Sequence, residues 1–191
     1  DSVPDPEKKT ARDLIKKALQ SRSQYSSSVY VRTNSPISGK IPADLQEIIQ
    51  KGLDGIVIPK VNNPAELAKI TKIISSLEKK RKLKPVSIIP SIESAQGVVN
   101  TYEIAKSSKR IPAVVFGVFD LLNDLGIEYT KQAQGAQYSR AKIPVDAKAA
   151  GVLAIDGIWQ DLQDIAGLRE DCLAGKRLGY SGKSIIHPDQ I

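Results

Sequence analysis

Six short apolar runs punctuate the chain, and between them apolar residues recur three and four positions apart. The runs begin near Val29, Gly55, Val86, Ala113, Val152 and Ser184. Short runs rich in Val and Ile are what a strand buried on both faces requires. The intervening spacing is helical, as in Ala11, Leu14, Ile15, Ala18 and Leu19, and again in Leu67, Ile70, Ile73, Ile74 and Leu77. Strands alternating with helices define βαβ units and a parallel sheet. The pattern predicts an α/β fold of the (β/α)8 TIM-barrel type, with six strands present. A full barrel needs two more strands and typically about 250 residues. The missing pair is expected before the start of the chain. A six-stranded arc leaves two raw edges, so the intact protein is expected to be longer, with 1–191 a single, partial barrel domain.

Local signals place the boundaries. Asp5 is expected to be an N-cap with Pro6 at the first helical position, and Ser21 to Ser28 reads as a loop. Pro36 to Pro42 turns the chain into a short helix marked by Leu45, Ile48 and Ile49, with Gly52 at its C-cap. Asn63-Pro-Ala-Glu66 has the form of a capping box, and the helix it opens stops before Pro85. Ala95, Val98, Val99 and Tyr102 make the next helix face. Ala136 to Ala150 is helical in pattern but contains Pro144, which should break or kink it near Ile143. Asp164 is placed as the cap of a helix carrying Leu168, Cys172 and Leu173 and ended by Gly179. The last strand is read as Lys183 to Pro188.

Composition narrows the function classes. The 191 residues are 41% hydrophobic and 26% charged, which suits a globular domain. No apolar run approaches the roughly 20 residues that span a bilayer, so no membrane partner is expected. The net charge of +7 and pI near 9.4 raise nucleic acid as a partner. However, the cluster from Lys79 to Lys84 reads as the solvated end of a helix, and no aromatic stacking motif interleaves with the bases. No nucleic-acid partner is therefore expected. A single cysteine, Cys172, excludes an internal disulfide and fits a reducing compartment; it is read as a packed thiol. Met is absent and no signal peptide leads the chain, so a processed, trimmed or incompletely represented product is expected.

The runs share a further property, in that each finishes in a group able to do chemistry. In order these are Arg32, Lys60, Glu93, Asp120, Asp156 and His187, and on a barrel all six would converge on one face. The clearest case is the stretch from Pro112 to Gly126, where a strand breaks at Gly117 and a carboxylate, Asp120, precedes a new helical segment. Two carboxylates from neighbouring strands are a minimal seat for Mg²⁺, which keeps waters and draws its other ligands from substrate. On spacing alone Asp120 could equally cap the Leu121 helix, and Glu93 could pair with Lys60. His187 is read as packed and hydrogen-bonded rather than catalytic.

Four stretches resemble one family. They are Ile89-Pro-Ser-Ile-Glu-Ser-Ala-Gln-Gly-Val-Val-Asn100, Val115-Phe-Gly-Val-Phe-Asp120, Ala154-Ile-Asp-Gly157 and Gly182-Lys-Ser-Ile-Ile-His-Pro-Asp-Gln-Ile191. Together they resemble the citrate lyase β-subunit-like proteins (the HpcH/HpaI aldolase/citrate lyase family) of the phosphoenolpyruvate/pyruvate-binding barrel superfamily. Asp1-Ser-Val-Pro4 looks like the end of that family's Leu-Glu-Asp motif, and Val31-Arg-Thr-Asn34 like its substrate-arginine strand. The resemblance implies Glu93 and Asp120 as ligands of Mg²⁺, with Mn²⁺ as a substitute. It also implies Arg32 as the catalytic arginine that holds substrate and its developing enolate. The backbone of Gly117, Val118 and Phe119 would receive a keto-acid carboxylate, Asp1 would sit at the rim, and Lys60 would support.

The chemistry so implied is Mg²⁺-dependent cleavage of a 3-hydroxyacyl-CoA of the malyl- or citramalyl-CoA type into an acyl-CoA and a 2-keto acid. A homo-oligomer, trimer or hexamer, in the cytoplasm or mitochondrion is the family expectation. Two departures stand out. Phe119 occupies the place of a family glutamate, and the chain ends at Ile191 without the family's C-terminal, acid-bearing extension. They leave two alternatives: a non-catalytic or weakly active paralogue serving as a binding or assembly subunit, and a class II aldolase acting on free hydroxy-keto acids.

Overall fold

The computed structural model describes residues 2–131 and 133–191. Its centre is a parallel sheet of β1 (Tyr30–Arg32), β2 (Gly55–Ile58), β3 (Ser87–Ile92), β4 (Ala113–Phe116), β5 (Leu153–Asp156) and β6 (Gly182–Lys183), hydrogen-bonded in chain order. Tyr30 lies opposite Gly55, Gly55 opposite Ser87, Ser91 opposite Val115, Ala113 opposite Leu153 and Ile155 opposite Gly182. The six strands curl into a half-barrel with helices on one face.

Side chains alternate across the sheet. Val31, Ile56, Ile58, Ile88, Ile92, Val114, Phe116 and Ala154 point to the helices and are buried. Their partners come from α2 (Ile41–Ile48), α3 (Pro64–Arg81), α5 (Thr101–Lys106) and α7 (Gln137–Ala150), through residues such as Leu45, Leu67, Ile74, Ile104 and Ile143. The opposite, concave face carries Tyr30, Arg32, Val57, Ile89, Ser91, Val115, Leu153 and Ile155, and Leu153 is largely exposed there.

The helices form largely where the spacing places them, with instructive exceptions. Asp5 lies inside a 3-10 turn rather than capping, and α1 runs from Lys8 to Gln20. Within α1, Leu14 and Ala18 face solvent, whereas Leu19 is buried. Helix α2 stops at Ile48, and Gly52 (φ +99°) sits in the turn beyond it. The Asn63 side chain accepts the Glu66 N–H at 3.1 Å, while the Glu66 carboxylate accepts from the Asn62 N–H at 2.9 Å. The Ala95–Tyr102 face is split at Asn100 into α4 (Ala95–Val99) and α5, leaving Val99 exposed. Asp164 caps α8 (Ile165–Leu178) by accepting the Gly167 N–H, but Cys172 and Leu173 face outward, so the thiol is not packed. The final ladder ends at Lys183. The Ile186 N–H turns to the Gln190 side chain instead, and His187 is exposed rather than packed.

Pro144 does not break α7, which is continuous from Gln137 to Ala150. A proline inside a helix orphans the carbonyl four residues earlier, here that of Arg140. The Tyr180 hydroxyl donates to this oxygen at 2.9 Å. Tyr180 is buried, and burial, followed by the nearby Asp156 charge, pushes its ionisation upward, so it stays a donor. The tyrosine thus supplies the partner that the proline removes. Tyr180→Phe should cost about 1 kcal/mol, the net worth of such a bond. The cost should shrink in a Pro144→Ala background, where a helical N–H returns to Arg140; thermal unfolding of the four-member cycle measures the coupling.

Candidate active site

The ends of β2, β3 and β4 meet at one cluster. Glu93 follows β3 on the concave parity of Ile89 and Ser91, and it is buried. Ser94 caps the next helix by accepting the Gly97 N–H at 3.0 Å, which fixes where the strand stops. Beside it Gly117 ends β4, its N–H donating to the Ile92 carbonyl at 3.0 Å. A Cβ on Gly117 would lie 2.3 Å from Glu93 Cγ. Glycine is therefore required, because the Glu93 side chain crosses directly over that backbone. One turn into α6 (Val118–Leu125), Asp120 faces the same space, where an acid is favoured by the helix dipole.

Lys60 joins the two acids. Strict alternation after Ile56 and Ile58 would send residue 60 toward the helices, but its backbone is left-handed (φ +54°), an uncommon state for a non-glycine residue. In that conformation its N–H donates to Glu93 Oε2 at 3.1 Å and its ammonium lies 2.9 Å from Asp120 Oδ1. Of the two alternatives left open by spacing alone, the Glu93–Lys60 pairing is present through the Lys60 main chain, whereas Asp120 makes no side-chain cap on α6 and pairs with the Lys60 ammonium instead.

Burial pushes the Glu93 carboxyl above its ordinary value, and the Asp120 charge adds to the shift. The Lys60 N–H and the charges of Arg32 and Lys60 oppose it. Arg32 lies at the end of β1 on the concave parity, exposed, with its guanidinium donating to the Ser2 hydroxyl. Val118 is buried in the first turn of α6. Phe119 turns from the acids to stack on Tyr129, with ring centroids 4.7 Å apart and planes at 34°. Asp1 lies outside the described residues.

The six strand ends do not converge as expected. Asp156 shares the parity of Ala154 and points into the helix layer, where it is buried and ion-paired with Arg140 of α7 and Lys183 of β6. Asp171 of α8 closes this network, 2.8 Å from Arg140. Burial alone would lower the Arg140 ionisation, but the carboxylates of Asp156 and Asp171 raise it further, so it is a fixed cation. No spacing in the chain announces this cluster, because its members come from four separate elements. His187 is exposed, and its Nδ1 accepts from the Asp189 N–H at 3.3 Å.

Among the described residues no three His, Cys, Asp or Glu side chains converge. The donor set of Glu93 and Asp120 is two hard oxygen ligands, which fits a cation such as Mg²⁺ that takes one or two carboxylates and completes its shell from water and small-molecule oxygens.

A parallel barrel arc whose acids lie beyond the carboxyl ends of adjacent strands has the layout of a barrel enzyme. The chain belongs to the HpcH/HpaI aldolase/citrate lyase family, whose model matches residues 1–188. It is 34% identical to the mitochondrial citramalyl-CoA lyase of Rattus norvegicus over 202 residues, covering all of this chain and 60% of that protein. It is 33% identical to the citrate lyase subunit beta of Leuconostoc mesenteroides subsp. cremoris, covering all of this chain and 64% of that subunit. Among solved structures, CitE from Mycobacterium tuberculosis in complex with magnesium, acetoacetate and coenzyme A superposes with a TM-score of 0.80 at 25% identity, over the whole of this chain and 67% of that one. The chain thus spans less than two thirds of the length of these two curated relatives.

The Glu93 shift has a checkable sign. An acid that holds its proton more tightly in the fold than in the unfolded chain costs stability as pH rises. The loss begins near the ordinary value of 4.5 and is complete above the raised folded value. Glu93→Gln should therefore raise the melting temperature at pH 7 and lose that advantage below about pH 4. Thermal melts of both proteins across pH 3.5–7.5 without divalent ions provide the measurement.

Proposed function

We propose that this chain carries the keto-acid side of a Mg²⁺-dependent carbon–carbon lyase of the citrate lyase β-like type. Its substrate is a 3-hydroxyacyl-CoA, malyl- or citramalyl-CoA in kind, and its products are an acyl-CoA and a 2-keto acid. The observation that carries the reading is the adjacency of Glu93 and Asp120, bridged by Lys60, at the ends of neighbouring strands. The names of the relatives, the citramalyl-CoA lyase among them, supply the substrate class.

Glu93 and Asp120 would hold Mg²⁺, or Mn²⁺ in its place. When bound, the ion supplies Lewis-acid polarisation of the oxygens of the 2-keto acid. The first N–H groups of α6, at Val118 and Phe119, lack helical partners by position and are suited to an anionic carboxylate. Gly117 keeps that approach free of a side chain. Arg32, exposed on the concave face, brings a permanent positive charge to offset the enolate that forms when the carbon–carbon bond breaks. In that cleavage the hydroxyl proton leaves, the oxygen becomes the keto-acid carbonyl, and the electron pair passes to the thioester fragment, which then takes up a proton. Lys60 would support the site at its rim, a role the family resemblance also implies for Asp1.

The homo-oligomer and the compartment, cytoplasm or mitochondrion, belong to the same proposal. No helix among the described residues is long and apolar enough to cross a membrane. One observation favours a second reading, a binding or assembly subunit of low activity: Phe119, packed on Tyr129, offers no carboxylate where the family resemblance expects one.

The double variant Glu93→Ala/Asp120→Ala should lose Mn²⁺ and pyruvate binding while retaining its far-UV circular dichroism. Binding that persists in it refutes the site. A coupled assay with malyl-CoA and citramalyl-CoA, with and without Mg²⁺, separates the lyase from the binding subunit, because metal-dependent turnover is expected of the lyase alone. Competition by CoA counts against an aldolase of free hydroxy-keto acids.

A further inference from the structure

Lys60 is held in an unfavourable backbone state by contacts that all point into the acid cluster. Three observations concern this one residue: the left-handed φ of +54°, the amide on Glu93 at 3.1 Å and the ammonium on Asp120 at 2.9 Å. The amide bond leaves the Glu93 carboxylate oriented whatever the side chain does. The ammonium is different in kind, since its partner is an oxygen expected to serve a divalent ion. Ammonium and ion cannot both take Asp120 Oδ1 at contact distance without bringing like charges together.

We infer that Lys60 is a built-in counter-ion of the metal seat: its ammonium competes with the divalent cation for Asp120 and so sets the affinity of the site. This rests on the reading of Glu93 and Asp120 as metal ligands. The ammonium is free to yield, because the Lys60 and Asp120 side chains are 40% and 46% exposed and the lysine stem has four rotatable bonds. The pair keeps the seat compensated in the absence of the ion, and the ion must break it to enter. A half-exposed ion pair sets the scale at about fivefold in affinity. Lys60 is thus a positioning residue acting through Asp120, and its influence is on how much cation the site requires.

The test is Mn²⁺ binding, followed by the quenching of the free-ion electron paramagnetic resonance signal at low ionic strength. The proteins compared are the wild type, Lys60→Met, Lys60→Gly and the double variant Glu93→Ala/Asp120→Ala. Lys60→Met removes the charge and keeps the bulk. Lys60→Gly suits the left-handed backbone, keeps the N–H to Glu93 and reads the same quantity if the methionine variant does not fold. Binding about fivefold tighter than wild type in the folded Lys60 variant is the expected result. Specific binding in the wild type with equal or weaker affinity in that variant overturns this inference alone. Absence of saturable binding in the wild type, or binding that survives the double variant, overturns the proposed site and this inference together.

Discussion

The twofold alternation of side chains across a parallel sheet decides what this molecule can assemble. Each strand offers its residues to the helix layer and the concave face in turn, and the register between strands is fixed by their hydrogen bonds. Glu93 is in phase with Ile89 and Ser91 and faces the concave side; Asp156 is in phase with Ala154 and faces the helices. Two acids at nearly equivalent strand ends therefore meet opposite fates. One comes to lie beside Asp120, and the other is neutralised within a buried network of Arg140, Asp171 and Lys183.

Departures from regular geometry sit where alternation alone would fail. The positive φ of Lys60 turns a residue of the wrong phase back toward the acids, and the missing Cβ of Gly117 lets Glu93 lie across the end of β4. Local strain is tolerated here because several bonds over-determine the backbone. The concave face apart from these acids is mixed and partly open, with Arg32 exposed and Leu153 more than half exposed. Most of the buried apolar side chains lie in the layer between sheet and helices.

Much of this was legible in the chain. Short Val- and Ile-rich runs mark the first five strands, the sixth ladder closing at Gly182–Lys183 just before the run expected to form it, and the parallel order follows from the helices between them. Lys60, Glu93 and Asp120 were visible as strand-end groups, and a Glu93–Lys60 pairing among them, but not the Asp120–Lys60 ion pair. Phase was not visible, because one residue of uncertainty in a strand boundary inverts every assignment. That is why Asp156 was expected to join the cluster; His187 was expected there because the last strand was read past Lys183, where its ladder ends. Tertiary partners were equally hidden: Pro144 reads as a breaker until Tyr180, 36 residues later, answers its orphaned carbonyl. The outward Cys172 and the short β6 have the same origin, since an outermost strand and its neighbouring helix have fewer elements to bury them.

Arg140 has a consequence beyond its own bonds. Its main chain answers to Tyr180 and its side chain to Asp156 and Asp171, so a single helical position ties together α7, α8, β5 and the segment leading into β6. Those elements are not free to drift separately over evolutionary time: a change of proline, tyrosine or either aspartate alters the constraints on the other three. The β5–β6 edge of the sheet is thus a cross-braced corner, and one frozen in composition by its own wiring.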